Sequence, residues 1–158
     1  MLIERSIYEH ILNNVPKKPP EVGGILGAKQ GMIIQAYFDN GLSKEKYCCY
    51  EPNTFLLNSV IQNWQEKNID FVGVFHTHYY GVDTLSANDI SYIKLILNSM
   101  PEEVDNLYFP IVLPEQQTII PYKAIKTVYG INIFKEKIKI VKEKQNGKSK
   151  NNYSGRKI

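Results

Sequence analysis

The chain has 158 residues, of which 43% are hydrophobic and 22% are charged, and its formal net charge is +3. This composition excludes a wholly disordered chain, and the length favours a single domain with its own core. No apolar run reaches the roughly 18 residues that a membrane-spanning helix needs. Because the N-terminus lacks a basic segment followed by an apolar block, we expect a cytoplasmic protein with no secretory signal and no membrane partner.

The first predicted elements are a helix and a hairpin. Apolar residues at helical spacing predict a helix over residues 2–15, and three prolines then form a stiff connector. A short, glycine-containing apolar segment at 22–28 predicts a strand that another chain segment approaches closely. Residues 32–38 are its predicted hairpin partner. The connector prolines are Pro16, Pro19 and Pro20.

A further strand is predicted at residues 46–50, and it contains the chain's two cysteines, Cys48 and Cys49. Because they are adjacent, they exclude a disulfide framework and a Cys-rich zinc site. We expect them on opposite faces of the strand rather than as nucleophiles.

Two helices and a buried strand are predicted in the middle of the chain. The first helix runs from Pro52 to about Asn68, and the second covers residues 86–98. Between them, residues 71–75 form a continuous apolar run that is typical of a buried central strand. The predicted inward residues of the two helices are Phe55, Leu56, Val60, Ile61 and Trp64, and then Ile90, Ile93 and Leu97.

The last third of the chain is rich in predicted strands. Strands are expected at 107–113 and 118–122, and a final hairpin is expected between 125–129 and 138–141. Three helices among many strands predict a single α/β or α+β domain.

The charge is unevenly distributed. Residues 135–158 hold nine Lys and Arg and two Glu, whereas residues 1–134 hold ten Lys and Arg and fourteen Asp and Glu. We predict a folded domain at 1–141 and a basic, flexible tail at 142–158. Such a tail can bind nucleic acid or an acidic partner, but a solvated chain end is its more common role, so no nucleic-acid partner is expected.

One stretch of the sequence carries residues suited to chemistry. His76 and His78 follow the predicted central strand, and after seven residues comes Ser86, followed three residues later by Asp89. Side chains alternate along a strand, so the two imidazoles point to the same side and can chelate one metal ion. A carboxylate in the first turn of the next helix, Asp89, can supply a third ligand. Two His and one Asp leave one position open for water, which is typical of a catalytic zinc site.

Each part of this pattern also has an ordinary structural explanation. Ser86 and Asp89 have the spacing of a helix N-cap and a first-turn acid, and taken alone they favour capping. Histidines at the end of a strand are common without a metal, and the remaining histidine, His10, is expected on the surface of the first helix. The metal interpretation depends on the whole string of residue types and spacings.

The sequence resembles the JAB/MPN domain of the JAMM metalloprotease family, in its short prokaryotic form, over about residues 1–141. The matching residues are His76, Thr77, His78, Ser86 and Asp89, with Glu21 before the strand Gly23-Gly24-Ile25-Leu26-Gly27. The resemblance implies a cytidine-deaminase-like fold, in which a mixed central sheet is flanked by about three helices.

The resemblance also implies a role for each matched residue. His76, His78 and Asp89 would bind one Zn²⁺, Glu21 would be the general base and later the proton donor, and Ser86 would stabilise the oxyanion. Spacing alone does not select Glu21 among the acidic residues of the chain. The family usually has a proline after the second histidine, and this chain has Tyr79. That departure changes no ligand, but it affects the shape of the loop and of the substrate groove.

The implied reaction is hydrolysis of a peptide or isopeptide bond after the C-terminal tail of a ubiquitin-like protein. Such a tail can lie as an added strand beside a sheet edge. The implied partners are the ubiquitin-like protein or its conjugates, together with activating (E1-like) and conjugating (E2-like) enzymes, and one implied setting is antiphage defence.

Two other functions are compatible with the residues. A non-catalytic JAB/MPN scaffold would keep the fold without the metal, which the complete set of candidate ligands argues against. A DNA-associated protein of the RadC type has a similar His-x-His and Ser-x-x-Asp string, and the basic tail gives it slight support. A zinc nucleobase deaminase is excluded because its His-x-Glu and Pro-Cys-x-x-Cys signature is absent from the sequence.

Overall fold

The structure is a computed structural model, and it describes residues 1–42 and 50–142. Its helices are α1 (Arg5–Asn14), α2 (Thr54–Glu66) and α3 (Ala87–Ser99). Its strands are β1 (Leu2–Glu4), β2 (Gly23–Lys29), β3 (Met32–Asp39), β4 (Asp70–Thr77), β5 (Asn106–Tyr108), β6 (Ile111–Leu113), β7 (Thr118–Ile120), β8 (Tyr122–Thr127), β9 (Gly130–Lys135) and β10 (Lys139–Val141).

These strands form one mixed sheet with β4 near its centre. The order along the sheet is β10-β1-β3-β2-β4-β5-β8-β9, and β6 pairs with β4 and with β7. β2 is antiparallel to β4 on one side, and β5 and β6 are parallel to β4 on the other. With the three helices, this arrangement confirms the predicted α+β fold around a mixed sheet.

The two faces of the sheet bury two separate hydrophobic clusters. Successive residues of β4 point to opposite faces, so Val74 contributes to one cluster and Phe75 to the other. The Val74 cluster contains the buried residues of α2 and α3, and the Phe75 cluster contains those of α1. We call these the α2/α3 face and the α1 face of the sheet.

The predicted helix over 2–15 is wrong at its start, because residues 2–4 form β1. Ile3 lies in register with Ile140 of β10 and with Ile33 of β3, both in parallel pairs, and it is fully buried. Leu2 and Ile3 fit the helical spacing of the residues that follow, so periodicity alone could not show that the helix begins only at Arg5.

The buried faces of α2 and α3 differ in part from the prediction. Phe55 is 88% exposed and Leu56 lies at the surface, whereas Leu57, which was not predicted, is buried with Trp64. The inward stripe of α2 is therefore 57, 60, 61 and 64, the regular spacing of a helix face. In α3, Ile93 and Leu97 are buried as predicted, but Ile90 is exposed.

The strands after α3 differ from the prediction at two prolines. The predicted strand at 107–113 is two strands, β5 and β6, separated at Pro110, and the predicted strand at 118–122 ends at Pro121 before β8 begins. Proline has no N–H for a sheet ladder, which explains both breaks.

The predicted final hairpin is also wrong. β8 pairs with β9, whereas residues 139–141 cross to the opposite side of the sheet and run parallel to β1. Of the strand predicted at 46–50, residues 46–49 lie outside the described residues, and so do the tail residues beyond 142. The prediction for Cys48 and Cys49 falls in the first of these gaps. The domain boundary at 141 and the flexible tail stay predictions. Within the described ranges, no helix combines the length and apolar composition that crossing a membrane requires.

Candidate metal centre

The two histidines lie at the end of β4, and their backbone N–H groups donate to the neighbouring segment around β6. The His76 N–H donates to Pro110 O at 3.2 Å, and the His78 N–H donates to Val112 O at 2.9 Å. Both imidazoles lie on the α2/α3 face, because they are two and four residues beyond Val74 on an alternating strand. Both histidines are buried.

Asp89 approaches the histidines from the first turn of α3. Ser86 is the N-cap of this helix, and its Oγ accepts a hydrogen bond from Asp89 N–H at 3.1 Å. In return, Asp89 Oδ2 accepts from Ser86 N–H at 2.7 Å. This reciprocal capping box fixes the Asp89 carboxylate in one orientation. Capping and metal binding are therefore compatible for this residue pair.

The three side chains bring one donor atom each to the same point. His76 Nε2 lies 2.8 Å from His78 Nε2. Each of these nitrogens lies 3.4 Å from a carboxylate oxygen of Asp89. Tetrahedral zinc with bonds of about 2.0–2.1 Å would place its ligand atoms about 3.4 Å apart. The three donor atoms lie within 4.8 Å of one another, so the group can hold a metal ion.

A second hydrogen bond sets the tautomer of His78. Its Nδ1 lies 3.0 Å from Val82 O, and since a carbonyl only accepts, Nδ1 carries the proton. Neutral His78 therefore presents the lone pair of Nε2 to the site, as a metal-ligating histidine must. The Asp83 carbonyl next to Val82 accepts from Tyr122 Oη at 3.1 Å, and the Asp83 carboxylate pairs with Lys135 at 2.8 Å. These contacts fix the loop that orients the imidazole.

The electrostatics of the site favour a positive charge among the donors. Burial raises the pKa of the Asp89 carboxyl, but hydrogen bonds with His76 and His78 outweigh burial and hold that pKa well below its usual range. Burial lowers the pKa of His78, but the hydrogen bond with Asp89 and the charge of that carboxylate outweigh it, so the pKa is raised. A proton or a metal cation can satisfy the same set of lone pairs.

Glu21 lies across the strand pair from the histidines. Gly23 of β2 is opposite His76 of β4, and the antiparallel register continues through Val22, whose carbonyl accepts from Thr77 N–H at 2.8 Å. One step further the register places Glu21 opposite His78, so both side chains point to the α2/α3 face. Burial is the main cause that raises the pKa of Glu21.

Two clefts adjoin the three donor groups, and both are lined by Ser86 and Asp89. The first has a volume of about 280 Å³, and Glu21, His78 and Tyr80 also line it. The second, about 250 Å³, also borders on His76, Tyr50 and Tyr92. The structure thus brings together all five residues that the sequence selected, while their chemical roles stay predictions.

The sequence did not indicate Tyr50, which helps to shape the second cleft. Its hydroxyl donates to Asp39 Oδ2 at 3.0 Å, and the same oxygen accepts from Asn53 N–H at 2.8 Å. Burial, followed by the charge of Asp39, raises the pKa of Tyr50. A Cβ on Gly23 would collide with the Tyr50 ring, which explains the glycine at that position. A tyrosine beside a turn carries no distinctive spacing, so a single sequence could not have identified it.

The sequence placed only His10 outside the site and left open whether Tyr79 and Tyr80 line the groove; in the structure both tyrosines line the first cleft. His10 is exposed on α1, as predicted. Tyr79 is only 5% exposed, whereas Tyr80 is 77% exposed. These adjacent tyrosines could not be distinguished from the sequence alone.

The structure is similar to solved structures of known fold. A protein from Desulfitobacterium hafniense matches with a TM-score of 0.64 and 17% identity, over 91% of this chain and 94% of that protein. A JAB1/MPN domain protein from Archaeoglobus fulgidus matches with a TM-score of 0.51 and 17% identity, over 89% of this chain and 99% of that one. The chain has a JAB1/MPN fold.

This likeness establishes the fold that the resemblance implied. The JAB1/MPN fold places the end of β4 and the start of α3 side by side, which is where the three donor groups meet. The sequence matches no protein-family model and no curated protein. At 17% identity, the structural neighbours establish the fold of this chain but do not assign it a reaction.

Proposed function

We propose that the chain is a zinc-dependent metallopeptidase that cleaves a peptide or isopeptide bond after the C-terminal tail of a ubiquitin-like protein. The observation that carries the proposal is the convergence of His76, His78 and Asp89 within 4.8 Å, beside a cleft that Glu21 and Ser86 line together with His78 and Asp89. A donor set of two imidazoles and one carboxylate suits zinc and leaves a coordination position free.

A zinc ion held by these three residues would lower the pKa of a water molecule to about 7 and polarise a carbonyl group. Glu21, which lines the same cleft, would accept a proton from the water that attacks the carbonyl carbon. The burial that raises the pKa of Glu21 strengthens it as a base and lets the protonated carboxyl donate to the leaving amine.

Ser86 is suited to stabilise the oxyanion. Its Oγ accepts from Asp89 N–H, which fixes the oxygen and leaves the hydroxyl proton for donation. A donor aimed at developing negative charge is worth about 2.7–4 kcal/mol in other enzymes, so this proton contributes substantially to the proposed reaction.

The substrate class rests on the JAB1/MPN fold and on the two clefts. Because one cleft lies toward Glu21 and the other toward Tyr50, a peptide segment could extend to both sides of the donor groups. A ubiquitin-like tail is narrow enough to do so. Conjugates of such a protein, E1-like and E2-like enzymes, a cytoplasmic location and a role in antiphage defence are further parts of the same proposal.

The test is a cleavage assay with the zinc-loaded chain and a ubiquitin-like protein fused through its C-terminal tail to a reporter. We expect cleavage at the end of the tail, and loss of cleavage in Glu21→Gln with zinc content unchanged. Glu66→Gln is the matched control, since Glu66 is an exposed glutamate at the end of α2.

Normal turnover by Glu21→Gln would contradict the assignment of the base. A wild-type chain that binds no zinc and cleaves no ubiquitin-like fusion would contradict the enzyme proposal and favour a scaffold. Salt-dependent DNA binding that disappears on deletion of 142–158 would instead favour the RadC-like alternative.

A further inference from the structure

Thr77 and Tyr79 alternate with the histidines and face the opposite side of the sheet. Phe75, two residues before Thr77, belongs to the cluster on the α1 face. The side chains of Thr77 and Tyr79 therefore point toward the segment that leaves α1. That segment is the connector 15–20, which ends directly before Glu21.

The Tyr79 hydroxyl lies among carbonyl oxygens of this connector. Its Oη is 3.1 Å from Pro16 O and 3.3 Å from Pro20 O, and it accepts a weaker hydrogen bond from Thr77 Oγ1 at 3.4 Å. The hydroxyl proton can donate to either carbonyl. Thr77 Oγ1 in turn accepts from Val22 N–H at 2.9 Å and lies 3.2 Å from Val22 O.

The connector depends on such external donors. Three of its residues are prolines, which have no N–H, so their carbonyls can accept backbone hydrogen bonds but their nitrogens cannot donate any. Glu21 follows immediately, so motion of the connector would also move the Glu21 carboxylate. Tyr79 contacts the residue before Glu21, and Thr77 contacts the residue after it.

We propose that Tyr79 is a positioning residue whose hydroxyl tethers the proline connector and thereby holds Glu21 toward the donor groups. This inference rests on the proposed function, because it assigns Tyr79 a purpose through the base of that reaction. Tyr79 lies at the edge of the first cleft, and its hydroxyl reaches the segment that carries the base rather than the donor groups themselves.

The distinguishing variant is Tyr79→Phe, which keeps the buried ring and removes only the hydroxyl. The control is Tyr129→Phe, because Tyr129 is 99% exposed in the turn between β8 and β9, away from both clefts. Displacing a catalytic group by about 1 Å can cost on the order of a hundredfold in rate. We expect kcat of Tyr79→Phe to fall by about tenfold to a hundredfold, with KM within about twofold of wild type.

A second measurement does not depend on activity. Hydrogen–deuterium exchange of a peptide spanning residues 13–22 is compared in the wild type and both variants, with and without zinc. After Val15, this peptide contains four residues with an exchangeable backbone amide: Lys17, Lys18, Glu21 and Val22. We expect faster exchange in Tyr79→Phe, no change in Tyr129→Phe, and unchanged zinc stoichiometry in both.

The outcomes separate this inference from the proposed function. Unchanged exchange in Tyr79→Phe overturns the tether, and faster exchange with unchanged kcat overturns the positioning role. A rise in KM with unchanged kcat also overturns it, because the hydroxyl would then serve substrate binding. A wild-type chain without cleavage contradicts the proposed function, and the exchange measurement still decides whether Tyr79 holds the connector.

Discussion

At the end of β4, polar side chains lie on both faces of the sheet, and the two sets differ in their hydrogen-bond partners. On the α2/α3 face, the Nε2 atoms of His76 and His78 point at each other and at Asp89, at distances of 2.8 and 3.4 Å. On the α1 face, Thr77 and Tyr79 hydrogen-bond to backbone groups of residues 16–22. The two faces alternate residue by residue along one strand.

The difference separates a binding site from a structural contact. Lone pairs that converge on one point need a cation or a proton between them, because without one they repel. Hydroxyls that each reach a backbone donor or acceptor need nothing further. The α2/α3 face therefore has the chemistry of a ligand site, and the α1 face has the chemistry of a support for it.

The largest effect is expected on the α2/α3 face. His78→Ala removes one of three donor groups, so zinc affinity should fall by at least about a hundredfold and cleavage should be lost. Metal content after dialysis and the cleavage rate measure the two effects. His10→Ala, a change of the exposed histidine on α1, should alter neither. Full zinc occupancy in His78→Ala would show that this face is not the metal site.

Ser86→Ala should separate catalysis from metal binding on the same face. Loss of the hydroxyl donor should lower kcat by about a hundredfold or more, equivalent to about 2.7–4 kcal/mol of barrier. Loss of the N-cap should also lower the free energy of unfolding by about 1 kcal/mol. Ser86→Thr keeps a hydroxyl that can cap and should retain much of both. If Ser86→Ala also lost zinc, the residue would act mainly by orienting Asp89.

Thr77→Val tests the opposite face. Valine has nearly the shape of threonine, but it leaves the buried Val22 N–H without its acceptor, which should cost about 1–3 kcal/mol of the free energy of unfolding. Chemical denaturation measures this cost, and zinc stoichiometry should stay at the wild-type value. Thr77→Ser keeps the hydroxyl and should recover most of the loss. Equal stabilities of the two variants would show that the hydroxyl does not support the strand pair.

The pH dependence of zinc binding gives the smallest effect. Zinc requires neutral His78, and the carboxylate of Asp89 raises the pKa of that imidazole above its ordinary value. Protons therefore begin to compete with zinc at a higher pH than at an isolated histidine. Below the raised pKa, affinity should fall by about tenfold per pH unit for this one proton. Calorimetric titration at several pH values measures this slope. A zinc affinity that does not change between pH 7 and pH 5 would contradict the expected competition by protons.

The candidate metal centre could be predicted from the sequence where its geometry is local. Alternation along a strand placed His76 and His78 on one side, and the spacing of Ser86 and Asp89 indicated the start of a helix. Glu21 needed the resemblance, because its contact with the histidines is made across two strands and not along the chain.

The remaining errors have a common physical cause. The strand at residues 2–4 and the pairing of 139–141 depend on contacts between the two ends of the described chain. The inward face of α2 depends on how the helix is rotated against the sheet, so Phe55 could not be distinguished from Leu57 by periodicity alone. The same holds for Tyr79, whose hydrogen bonds to the connector cannot be read from its position in the sequence.

The most direct test of the central claim is anomalous diffraction at the zinc edge from crystals of the zinc-loaded chain. We predict one strong peak at about 2.0–2.1 Å from Nε2 of both His76 and His78, with an oxygen of Asp89 at a similar distance. The absence of a peak between these three side chains, or a full-occupancy peak only elsewhere, would contradict the assignment of this site.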